Sequence, residues 1–107
     1  MIRVVALVAD VMDRSRIGAS IPTIEIVARP SDVAGADVVI VDLTRHLGAL
    51  DEIRRCAPDA LVVAYGPHVD TDMLAAAEAA GADRVLPRSR FFRDPAGALE
   101  DAEPPDR

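Results

Sequence analysis

Apolar runs recur at intervals along the chain, and the segments between them change from a period of two to a helical period. Residues 2–9, 37–41 and 61–65 contain "VVALVA", "VVIV" and "LVVA", which are apolar throughout, as strands covered on both faces should be. Residues 23–28 and 83–86 are also strand-like but carry Glu25 and Arg84, which suits the edges of a sheet. Between these runs, residues 11–19 predict a short first helix and residues 31–35 at most a turn or two. Residues 47–57 place Leu47, Leu50, Ile53 and Cys56/Ala57 at helical spacing before Pro58 stops the run. Residues 70–81 form the clearest helical segment, with Asp70 as N-cap, "MLAAAEAA" as a run of strong helix formers and Gly81 at the C′ position.

Strand and helix alternation of this kind predicts an α/β fold: a parallel five-stranded sheet between two helical layers. With three interior strands, two edges and right-handed crossovers, the simplest spatial order is 2-1-3-4-5, the flavodoxin-like doubly wound arrangement. Its crossovers reverse direction between strands 1 and 3, and such folds place their chemistry outside the carboxyl ends of the strands there. Asp10 follows strand 1 and Asp42 follows strand 3, so both carboxylates are expected at that crevice.

The C-terminal end departs from the plan. After "RSRFF" only "RDPAGALEDAEPPDR" remains, so a fifth helix should be short or missing, with residues 1–95 as the domain and 96–107 as an acidic, proline-rich tail. One sheet face is then expected to be partly bare, with Phe91, Phe92 and Leu99 over it, and a homodimer is one way to bury it.

At 107 residues the chain can bury one core. A net charge of −6, with Tyr65, Phe91 and Phe92 as the only aromatic residues, argues against nucleic-acid binding. No apolar run approaches a membrane span and no signal-peptide anatomy precedes the first strand, so a cytoplasmic protein is expected. The single cysteine, Cys56, excludes an internal disulfide and a CxxC motif, and its helical position suits the core. All 12 basic residues are arginines, which removes lysine Schiff-base and lysine general-base chemistry.

The segments "ALVADVMDRSRI", "ADVVIVDL", "VVAYGPHVD" and "AAGADRVLPRSRFF" together resemble the receiver domain of bacterial response regulators, in particular degenerate, stand-alone pseudo-receivers, over residues 2–92. The resemblance implies a phospho-acceptor position at Asp42 and a magnesium-binding acid pair at Ala9 and Asp10. It also implies a hydroxyl position at Gly66 and a lysine position at Arg88, with Ser89 where a proline usually follows. Magnesium would have Asp10 and Asp42 as its carboxylate ligands, and phosphate would meet a guanidinium.

Structural roles compete for each of these residues. Asp42 can solvate a strand end, Asp10 can cap the first helix, and Arg88 paired with Asp42 or Asp10 across the crevice is the preferred arrangement. His46 and His68 follow strands 3 and 4, so Asp10, Asp42, His46 and His68 could instead form a small metal-binding enzyme site. "DRSRIG" faintly resembles a cobalamin-binding loop, but Ser15 stands where the axial histidine would be. The six glycines are too dispersed for a dinucleotide or phosphate loop.

The expected function is therefore a non-catalytic signalling module that acts through protein contacts, without phosphorylation and without a cofactor. The alternatives are a magnesium-dependent response regulator with Asp42 as acceptor and the metalloenzyme. By the same resemblance, Arg88, Arg90, Phe91 and Phe92 are candidate contacts for a protein partner.

Overall fold

The computed structural model describes residues 2–67 and 70–100. Its strands are β1 (Val4–Leu7), β2 (Glu25–Ile26), β3 (Val38–Asp42), β4 (Leu61–Gly66) and β5 (Arg84–Pro87), all parallel, in the spatial order β2-β1-β3-β4-β5. The helices are α1 (Val11–Ser20), α2 (Leu43–His46), α3 (Leu50–Cys56), α4 (Thr71–Ala79) and α5 (Arg88–Phe91), with short 3-10 turns at Pro30–Val33, Leu47–Ala49 and Gly97–Leu99.

Every residue of β1, β3 and β4 is buried, so these are the interior strands that their unbroken apolar runs require. The edges are weaker. Only Glu25 and Ile26 pair with β1, and both are exposed, while β5 is half-buried along its length. Arg3 covers the β2 edge by pairing with Glu25 at 2.6 Å.

Alternation along the strands divides the core into two clusters. Val5, Leu7, Val39, Val41, Val62 and Ala64 face Leu43, Leu50, Ile53 and Ala77 in one helical layer. Ala6, Val8, Ile40, Val63 and Tyr65 face Ile17, Ile21, Phe91, Phe92 and Leu99 in the other. Cys56 is half-buried and packs at the margin of the first cluster.

The second layer is where the fold is abbreviated. Helix α5 has four residues and is capped by Phe92, and Pro95 and a 3-10 turn follow. Phe91, Phe92 and Leu99 lie on the sheet at 0, 9 and 9% exposure, so most of the apolar surface from which a homodimer was expected is inside the chain. At the other end of the sheet, Arg54 joins α3 to the strands: its guanidinium donates to the Ala60 carbonyl at 2.8 Å and pairs with Asp83 at 2.8 Å.

Candidate functional site

The carboxyl ends of β1 and β3 lie side by side, with Leu7 opposite Val41 in the register, so Asp10 and Asp42 emerge at neighbouring points of the sheet edge. Asp42 is 5% exposed, and its Oδ1 accepts the Thr44 N–H at 3.0 Å. This is an N-cap: the strand ends on the acid, and the chain turns at once into α2. Asp10 is exposed and does the same for α1, with Oδ1 accepting the Asp13 N–H at 3.0 Å. Each carboxylate therefore has one oxygen committed to a helix terminus.

Arg88 pairs with neither of them. Its two terminal nitrogens grip both carboxylate oxygens of Asp13, with Nη1 to Oδ2 at 2.6 Å. The expected bond to Asp42 gives way for a geometrical reason. Asp13 lies one turn before Ile17, on the side of α1 that packs on the sheet, and Arg88 opens α5 on that same face. Asp13 is 1% exposed, and the Tyr65 hydroxyl also donates to its Oδ2 at 3.0 Å. A buried carboxylate with three donors, two of them from a guanidinium, is satisfied in a place where an unpaired charge would be costly.

The electrostatics follow from this triad. The Arg88 hydrogen bonds hold the Asp13 carboxyl below the ordinary carboxylate range, against the opposing effect of burial. The same bonds raise Arg88. Burial first, then the negative charges of Asp42 and Asp13, push the Tyr65 hydroxyl well above its usual value, so it stays a donor. The rings complete the assembly: Tyr65 stacks on Phe91 at 4.8 Å, and the Arg16 and Arg88 guanidinium groups lie 4.3 and 4.8 Å from the centre of Phe92. Asp13 and Tyr65 are thus the central residues that pattern reading missed. The available signal was the spacing of Asp13, Ile17 and Ile21, which places an acid on the apolar stripe.

The other expected positions are equally defined. A β-carbon on Gly66 would lie 3.3 Å from Met73 Sδ and 3.4 Å from Leu43, so a hydroxyl residue in this place would press on the helical layer. Phe91 is fully buried and Phe92 nearly so, which leaves Arg88 and Arg90 as the candidates that present surface. His46 is half-buried beside Val8, Ala9 and Arg14, and burial holds its imidazole below the ordinary value. His68 lies outside the described residues. Among the described residues the fit to a magnesium site is poor: Ala9 replaces one acid, the Asp10 and Asp42 carboxylates each cap a helix, and no three His, Cys, Asp or Glu groups stand where they could hold an ion.

Strand order, a buried aspartate ending β3 and a basic residue directly after β5 define a doubly wound domain of the receiver type. Solved structures agree on the fold. A CheY-like protein, TadZ, from Pseudomonas aeruginosa is 18% identical, with a TM-score of 0.77 over 96% of this chain and 100% of the other. A response regulator receiver domain protein from Clostridium thermocellum is 19% identical, with a TM-score of 0.75 over 95% of this chain and 94% of the other. A response regulator from Burkholderia pseudomallei, solved with a phosphorylated aspartic acid, a calcium ion and citrate, is 14% identical, with a TM-score of 0.78 over 94% of this chain and 68% of the other. No protein-family model matches the sequence, and no curated protein is significantly similar to it. The chain has the receiver fold, with a short fifth helix. Among the described residues no helix is long and apolar enough to cross a membrane.

Proposed function

We propose that this chain is a receiver-like regulatory module that works through protein contacts, without enzymatic activity, without a cofactor and without phosphorylation of Asp42. The observation that carries this reading is the engagement of Arg88. In the receiver arrangement a cation at this position would bind the phosphoryl group, whereas here both arms of its guanidinium are held by the buried Asp13. Releasing it would leave a buried carboxylate with only the Tyr65 hydroxyl as side-chain donor. The packing at Gly66 adds support, because a receiver normally transmits phosphorylation through a hydroxyl at that place. A module in this state presents one fixed surface instead of two interconverting ones.

The second reading, magnesium-dependent phosphoryl acceptance by Asp42, rests on the buried position of that residue at the end of β3 and on the phosphorylated aspartate of the Burkholderia neighbour. The two separate in one experiment. Acetyl phosphate or beryllofluoride with magnesium should leave the amide spectrum around Asp42 unchanged and add no phosphoryl mass to the protein. Shifts that disappear in Asp42→Asn would establish the acceptor reading instead.

A further inference from the structure

The short α5 leaves a concavity where a longer helix would cover the sheet. It has a volume of about 350 Å³ and is lined by Arg84 and Leu86 of β5, Arg90 of α5, and Arg93, Asp94 and Ala98 beyond it. Three arginines and one carboxylate, that of Asp94, line it. That carboxylate already accepts the Gly97 N–H at 2.9 Å. Arg84 is aimed by a 2.8 Å bond from Nη1 to the Ala98 carbonyl, which leaves its remaining donors available. The ion pairs among the described residues engage Arg3, Arg29, Arg54 and Arg88, so Arg84, Arg90 and Arg93 have no acidic partner among those residues. In a chain of net charge −6, three arginines around one hollow, without an acidic partner among the described residues, make a local positive site in a negative field.

From this arrangement we propose that the concavity binds an acidic peptide segment of a protein partner, with its carboxylates on Arg84, Arg90 and Arg93 and an apolar side chain against Leu86 and Ala98. The apolar floor favours a peptide over a free oxyanion, which would satisfy the guanidinium groups and leave Leu86 and Ala98 uncovered. Access favours it too: β5 is an edge strand, so an extended segment reaches the hollow without displacing a neighbouring strand. Arginine forks bind carboxylates in two parallel hydrogen bonds, which fixes the orientation of the guest. The inference rests on the protein-contact reading of the module and names the chemistry of its partner.

The test uses the full chain labelled with nitrogen-15 and titrated with the synthetic peptide acetyl-Glu-Leu-Glu-Asp-Leu-Glu-amide. Amide shifts should be confined to residues 84–98, and the double variant Arg90→Glu/Arg93→Glu should weaken binding at least tenfold. Arg29→Glu, beyond the opposite sheet edge, should bind as the parent does. Absence of shifts at millimolar peptide, or an equal loss in Arg29→Glu, would overturn the proposal. So would inorganic phosphate or ATP matching the peptide in affinity and location, because the site would then be one for phosphorylated small molecules. A failed peptide titration together with an unreactive Asp42 removes this inference and leaves the protein-contact module standing, whereas phosphorylation of Asp42 removes that module reading itself.

Discussion

Asp13 is the residue on which the candidate site turns. Its folded-state affinity for protons is lowered chiefly by Arg88, so the stabilisation it contributes is complete above the ordinary carboxylate value of 3.8 and is lost as pH falls through the lower folded value. Thermal or urea unfolding should therefore show a loss of stability below about pH 4 that is smaller in Asp13→Asn. At neutral pH, Asp13→Asn should cost roughly 2 kcal/mol, moderated because Arg88 remains half in water. Tyr65→Phe removes one donor and should cost about 1 kcal/mol, measured by the same unfolding curves. Little of this was legible in the sequence. An acid in a first helical turn ordinarily signals a solvated helix start, and its partner stands 75 positions away. The crevice positions themselves were legible, because Asp10 and Asp42 directly follow apolar strands. The choice of partner for Arg88 was not, since it depends on which side of α1 faces the sheet. Val11 and Met12, the apolar residues nearest the helix start, are 73 and 71% exposed, while the acid points inward.

At the scale of elements, the strands and their order follow from apolar runs whose covering on both faces leaves little freedom. Helix boundaries were less readable. The chain enters α2 at Leu43, four residues before the periodic stretch begins, because the Asp42 side chain supplies the terminal hydrogen bond that starts a helix. That early start packs Leu43 over Gly66, where Met73 of α4 also lies. A threonine introduced at Gly66 should accordingly destabilise the fold by about 1 to 2 kcal/mol and should not create phosphate sensitivity, which a melting curve and the beryllofluoride titration would check together. β2 shrank to two residues because only Glu25 and Ile26 come into register with β1. Helix α5 is short for a sequence reason that was visible: Pro95 interrupts the segment that would extend it.

For the whole molecule, two core clusters share one sheet, and Arg54 ties α3 to its amino end while the Asp13 triad ties α1 to α5 at its carboxyl end. Each fastening links distant parts of the chain, so the fold should unfold as one cooperative unit. The aromatic residues offer a means of watching this. Tyr65, Phe91 and Phe92 are the only aromatic residues in the sequence, with ring centres 4.8 to 5.0 Å apart, and there is no tryptophan. Near-ultraviolet dichroism and tyrosine emission thus come from a single corner, where β4 meets α1 and α5, while the far-ultraviolet signal averages over the backbone. The molecule carries its own local optical gauge: an aromatic transition that precedes the backbone transition would reveal that this corner loosens before the rest.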